Sequence, residues 1–215
     1  MTMTEIGLWF LTGYAIGSVP VGFLVGRLQG IDIRRYGTGN IGASNVWRNL
    51  GFLPAALVGP LTFAQGVGPA WAAAWLTGSP WNVAGAAVGS VVGYGWSFLL
   101  HFHGGSAVGT ATGALAAISP PGLVPLLGLY AMGGVLRQPA PGVLLGLISF
   151  VVYMVVSRRP TQLLAASALI VGLVVLKRLD GVLDDLRTGD RAARILVGRL
   201  LFDRRPGQRL TGRND

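Results

Sequence analysis

The sequence predicts an all-α integral membrane protein of about seven transmembrane helices, some short or broken, with glycine-rich cytoplasmic loops. Three observations lead there. The 215 residues are 52% hydrophobic and only 12% charged, about half the charged share of a soluble domain. No Asp or Glu occurs between Asp32 and Asp180, and a charge at mid-bilayer costs about 2.5–3.5 kcal/mol on insertion scales. The 34 glycines suit membrane helices, whose backbones approach closely at small residues. A glycine-rich disordered chain would lack this hydrophobicity.

The first apolar run, 6–28, follows a start with one acid and no base. A cleaved signal peptide needs a positive leading region, so the run is read as a retained span with its N-terminus outside. Gly17-Ser18-Val19-Pro20-Val21-Gly22 breaks it, either as a plain kink or as a kink that lines a site. A polar gap, 30–50, carries Asp32, Arg34 and Arg35. Spans follow over 51–76, which holds Pro54, Pro60 and Pro69, and over 81–100, entered through the uncharged turn Thr77-Gly78-Ser79-Pro80. His101-Phe102-His103-Gly104-Gly105-Ser106 opens the second polar gap. The next apolar run, 108–119, has twelve residues, too few to cross a core of about 30 Å. A half-buried segment capped by a re-entrant loop is expected there. Pro120-Pro121 turns the chain into further spans over 122–136, 143–156 and 163–176.

Seven spans with the N-terminus outside put Arg27, Arg34, Arg35, Arg48, Arg137 and the tail inside, and only Arg158 and Arg159 outside. Fusing two spans would export the basic tail, so the positive-inside rule favours seven. Both polar gaps then face the cytoplasm. The chain divides into a membrane domain, 1–178, and a basic cytoplasmic tail, 179–215. In that tail Leu179, Leu183, Leu186, Ile195, Leu196, Leu200 and Leu201 recur at helical spacing among Arg and Asp, the pattern of an amphipathic helix on a membrane surface. The formal charge of +9 implies contact with anionic lipid headgroups. The cations are scattered between spans without a nucleic-acid motif, which argues against DNA or RNA as a partner. With no cysteine, disulfides, thiolate catalysis and cysteine-ligated metals are excluded.

The richest chemistry lies in Gly37-Thr38-Gly39-Asn40-Ile41-Gly42-Ala43-Ser44-Asn45-Val46-Trp47-Arg48. Its glycines permit turns that aim successive N–H groups at one anion. Asn40 and Asn45 add amides, and Arg48 can grip a phosphate through two parallel hydrogen bonds. A plain glycine-rich connector is the bland alternative. Gly104-Gly105 ahead of a helix is a second anion candidate, with the same alternative of mere packing. His101 and His103 are the only histidines and could be interface anchors, ligands or a proton acceptor. No carboxylate or cysteine stands near them, so no metal or cofactor is expected. His103 is the better base, because it adjoins the glycine pair.

In order and spacing, 17–22, then Gly30-Ile31-Asp32-Ile33-Arg34, then 37–48 resemble the N-terminal signature of the bacterial acyl-phosphate:glycerol-3-phosphate acyltransferases, the PlsY family. The resemblance continues through Phe102-His103-Gly104-Gly105-Ser106-Ala107-Val108-Gly109-Thr110-Ala111-Thr112-Gly113 and rests on hydropathy alone after Pro121. It implies seven membrane helices, a metal-free site facing the cytoplasm, and residence in the bacterial cell membrane. It also implies transfer of a fatty acyl group from acyl phosphate to the 1-hydroxyl of glycerol 3-phosphate, giving lysophosphatidate, with the substrate's phosphate as base. The family's phosphate-binding hydroxyl, Asn and Arg fall on Thr38, Asn40 and Arg48, and Asn45 matches too. Gly104 and Gly105 are expected to supply backbone donors, and Ser106 and His103 are the catalytic candidates.

Three motifs depart from the family. Its Gly-Gly-Lys-Gly reads Gly104-Gly105-Ser106-Ala107 here, and its Asp and Lys in the second span become Thr62 and Gln65. Its His and Asn near the end of the last span fall, by the nearest alignment, on Leu179 and Val182. Three readings follow: an acyltransferase in which Ser106 stands in for the lysine, an inactive paralogue that binds lipid intermediates or an active partner, and a small anion or polyol transporter. The acyltransferase leads.

Overall fold

The computed structural model describes residues 2–180. Among the described residues the long elements are α1 (Met3–Gly17), α2 (Val21–Leu28), α3 (Ala43–Leu50), α4 (Phe52–Thr77), α5 (Pro80–Gly95), α6 (Val108–Ile118), α7 (Leu123–Val135), α8 (Pro139–Val156) and α9 (Thr161–Arg178). Single 3-10 turns lie at Ile33–Arg35, Phe98–Leu100 and Pro120–Gly122. The molecule is an all-helical integral membrane protein, and each apolar run expected from the sequence is helical. Met3–Leu28, Pro80–Leu100, Pro139–Val156 and Thr161–Arg178 are long and apolar enough to cross a membrane. The tail proposed over 179–215 lies outside the described residues beyond Asp180.

Glycine decides how closely the helices approach. A Cβ on Gly13 or Gly17 of α1 would run into the Ala86 or Ser90 backbone of α5, and one on Gly89 or Gly93 into Phe10 or Tyr14 of α1. Such small-residue seams replace the hydrophobic driving force that helices lose in lipid. α6 spans 11 residues, about 17 Å of helix. It is buried along almost its whole length against α4 and α5, so protein rather than lipid surrounds its ends. That resolves the short fourth run.

The break at 18–20 separates α1 from α2 and frees carbonyls inside the bundle. Gln65 Nε2 donates to the Ile16 and Val19 carbonyls, at 2.8 Å each, and Ser97 Oγ donates to the Ser18 carbonyl. The break is thus a satisfied kink, lining neither of the cavities below. It also accounts for Gln65: an amide can donate twice here without burying a charge.

The stretch read as a loop over 37–48 is half helix. α3 starts at Ala43, after the N-cap Gly42, and turns Asn45 and Val46 inward while Ser44, Trp47 and Arg48 stay exposed. Its hydrophobic side is one buried valine wide, too narrow a signal to stand out beside the long apolar runs.

Candidate functional site

The two polar gaps meet at Asn40 and Ser106. Asn40 Nδ2 donates to Ser106 Oγ at 2.8 Å, while Asn40 Oδ1 accepts from the Ser106 N–H and the Gly42 N–H, both at 3.2 Å. Because Ser106 Oγ accepts from an amide, its own proton is free for a ligand. Thr38 Oγ1 accepts from the Asn40 N–H at 3.4 Å and keeps its proton in the same way.

Asn45, expected among the phosphate ligands, is wholly buried and fully engaged. Its Nδ2 donates to the Ile33, Tyr36 and Asn40 carbonyls, and its Oδ1 accepts from the Thr38 N–H at 3.0 Å. It shapes the loop from beneath. Gly39, at φ +69°, makes the left-handed turn above it and bonds back to the Tyr36 carbonyl. The N–H groups of Thr38, Gly39, Asn40 and Gly42 are therefore spent internally rather than aimed at an anion.

The Gly104 and Gly105 N–H groups, read as anion donors, are spent too. They donate to the Gly95 and Tyr94 carbonyls at the end of α5, each at 3.1 Å. A Cβ on Gly104 would enter the Tyr94 carbonyl, so glycine is required for this docking. Tyr94 also reaches under the first loop, its hydroxyl donating to the Ile41 carbonyl at 3.4 Å.

Around this junction lie two cavities. The first, about 410 Å³, is lined by Thr38, Asn40, Gly104, Gly105 and Ser106, with His103, Arg34, Arg35, Lys177 and Arg178 also on its wall. His103 is exposed on its rim, and its Nδ1 lies 2.7 Å from the His101 carbonyl. A carbonyl can only accept, so Nδ1 carries the proton and Nε2 is the basic nitrogen of the neutral ring. The second cavity, about 520 Å³, is lined by Arg48, Arg137, Thr62, Val108, Val143 and neighbouring residues. Asn40, Ser106 and Arg178 belong to both walls.

Asp32 anchors the first cavity's edge. It caps the 3-10 turn through the Arg34 N–H at 3.1 Å and grips the Arg34 guanidinium at 2.9 and 2.8 Å. Arg27 completes the pair at 3.4 Å, and both guanidinium groups lie over the Phe23 ring. The hydrogen bond from the Arg34 side chain is the main cause that holds the Asp32 carboxyl at about 2 against an ordinary 3.8. A depressed carboxyl contributes stability above its unfolded value and loses it as the pH falls through the folded one. Acidification from pH 3.8 toward about 2 is therefore expected to free the 33–36 turn. Hydrogen exchange at the Arg34 and Tyr36 amides measures this, and Asp32→Asn removes the step.

Of the residues read from the sequence, Thr38, Asn40, Ser106, His103, Gly104 and Gly105 meet at the first cavity, and Arg48 faces the second. Asn45 supports the loop without lining either. Sequence reasoning missed Lys177, Arg178 and Arg137. One signal was available for Lys177: it is the chain's single lysine beside sixteen arginines, at the end of an apolar helix.

The family model described as Glycerol-3-phosphate acyltransferase matches residues 7–186. A protein of that name from Rubrobacter xylanophilus is 44% identical over 119 residues, which cover 55% of this chain and 59% of the relative. Another, from Desulforamulus reducens, is 36% identical over 171 residues, 79% of this chain and 86% of the relative. The fold is similar to the crystal structure of PlsY, an integral membrane glycerol 3-phosphate acyltransferase, in its glycerol 3-phosphate form. That likeness has a TM-score of 0.74 at 27% identity and covers 86% of this chain and 93% of that one. The lysophosphatidic acid form gives a TM-score of 0.71.

Proposed function

The chain belongs to the glycerol-3-phosphate acyltransferase family, and from that membership we propose that it moves a fatty acyl group from acyl phosphate to the 1-hydroxyl of glycerol 3-phosphate. The observation that carries this reading is the Asn40–Ser106 bond in the common wall of two cavities. Two anionic substrates can approach it from opposite sides. Glycerol 3-phosphate occupies the first cavity, its phosphate accepting from the free hydroxyl protons of Thr38 and Ser106. Acyl phosphate occupies the second, its phosphate on Arg48 and Arg137 and its chain along Val108 and Val143. Gly104 and Gly105 act by holding Ser106 against α5 rather than as donors.

In the reaction the glycerol oxygen attacks the acyl carbonyl carbon. The carbon–oxygen bond to phosphate breaks, and inorganic phosphate leaves with the electron pair. The hydroxyl proton passes through His103 Nε2 to that phosphate, leaving lysophosphatidate. Holding both reactants at one wall converts a bimolecular encounter into a local one.

The cation distribution supports a multi-pass protein of the bacterial cell membrane, with its N-terminus outside and its C-terminus cytoplasmic. Arg34, Arg35, Arg48, Arg137, Lys177 and Arg178 gather around the cavities, while Arg158 and Arg159 follow the opposite end of α8.

The test is phosphate release by the purified protein in micelles, given acyl phosphate and glycerol 3-phosphate. Arg48→Ala is expected to lower kcat/KM roughly 10- to 100-fold, the value of one charge-assisted hydrogen bond. Wild-type turnover no higher than that of the variant sinks the reading. Glycerol 3-phosphate binding without turnover points instead to the inactive, lipid-binding paralogue.

A further inference from the structure

We propose that Lys177 supplies, from α9, the cation that the 104–107 loop lacks, exchanging Asp180 for the phosphate of the bound substrate. The identity of that anion rests on the acyltransferase reading; the residue and its exchange go beyond it.

The need comes first. The N–H groups of Gly104, Gly105 and Ser106 are all spent on protein acceptors, and Arg34 is committed to Asp32. A phosphate in the first cavity therefore meets two hydroxyls and needs charge from a side chain, and the other cations on that wall are Arg35, Lys177 and Arg178.

Lys177 meets that requirement. Its side chain is only 7% exposed, yet it lines the cavity with Thr38, Asn40 and Ser106. Its stem runs past Gly95, where an added Cβ would stand 3.8 Å from Cδ. Its ammonium lies 5.0 Å from the centre of the Trp96 ring. The carbonyls of Tyr94 and Gly95 receive Gly105 and Gly104. One three-residue step at the end of α5 thus seats both the glycine loop and the lysine, and fixes them relative to each other.

Two further features suit exchange rather than a permanent bond. Asp180, the present partner, has a side chain 56% exposed, and a carboxylate open to water holds a cation weakly. The Trp96 ring face keeps the ammonium in position while its partner changes. A lysine serves here better than the arginine used everywhere else in the chain. A compact point charge on a flexible stem can swing between two oxygens, whereas a planar fork fixes one geometry.

The experiment compares wild type, Lys177→Met and Lys177→Arg. Each is purified in micelles, checked for unchanged helicity and melting, and assayed for kcat, for KM and for direct binding of glycerol 3-phosphate by calorimetry. Lys177→Met is expected to raise both KM and the dissociation constant for glycerol 3-phosphate roughly 10- to 100-fold. Lys177→Arg, which keeps the charge, recovers part of that loss. Unchanged binding in Lys177→Met overturns the proposal, as does Lys177→Arg binding no better than Lys177→Met. If wild type binds glycerol 3-phosphate without turning over, the acyltransferase reading falls while the binding comparison still decides Lys177. If wild type does not bind it, the proposal falls as well.

Discussion

Asn40→Ala is expected to lower turnover roughly a hundred- to thousandfold while leaving the helices in place. The side chain makes three hydrogen bonds: one to Ser106 Oγ and one from the Ser106 N–H join the two polar loops, and one from the Gly42 N–H holds its own loop. Alanine leaves two N–H groups without an acceptor, at about 1–3 kcal/mol for each that stays dry, and frees Ser106 to turn away. The long helices keep their packing, since α1, α4, α5 and α6 meet through other residues. Asn40→Asp separates structure from charge. It keeps an acceptor for both N–H groups but draws the Ser106 proton onto itself and adds a negative charge beside the anion. Its melting temperature should stay near wild type and its activity should be as poor as that of alanine. Measuring kcat/KM and thermal melting on both variants decides the matter; an active Asn40→Ala protein would remove the two-cavity reading.

Gly66→Ala is expected to cost stability through the helix packing itself. Its Cβ would enter the Thr110 carbonyl of α6 and come within 2.7 Å of the Ala114 nitrogen. Gly113 of α6 meets α4 reciprocally, at the Phe63 carbonyl and the Val67 nitrogen. The obstacles are backbone atoms, so a methyl must push two helices apart, at about 1–3 kcal/mol by the scale of overpacked cores. α6 leads out of the Ser106 loop, and moving it moves the site. Gly68→Ala, two residues along the same helix, meets nothing within 4 Å. That change is expected to be neutral or stabilising by about 0.5–1 kcal/mol. Melting in one detergent compares the two, and equal effects would show that the α4–α6 seam has slack.

Much of the fold was legible because a bilayer writes its demands into composition. The stretch from Asp32 to Asp180 without an acid, and the apolar runs between polar gaps, predicted the helices and their order. The two gaps were also recognisable as one site's parts, since glycines, amides and hydroxyls have little other reason to gather in such a chain. What each of those residues does was not legible. Gly104 and Gly105 read as donors, because a sequence shows which N–H groups exist but not which carbonyls reach them. Asn45 read as a ligand, because its amide looks the same whether it faces a cavity or holds a loop from below. Gln65 read as a lost charge, although it satisfies carbonyls freed by a break 45 or more residues earlier in the chain.

The sequence by itself determined that the chain is a membrane bundle and that its chemistry-bearing polar residues gather in two gaps, 30–50 and 101–107. Only the tertiary structure decided that Asn40 holds Ser106, that Arg48 faces a second cavity, and that Lys177 lines the same cavity as Ser106. The reason is distance along the chain. Helical periodicity and loop composition are local properties, whereas a site assembled from residues 38, 106 and 177 exists only once the glycine seams have set how closely the helices lie.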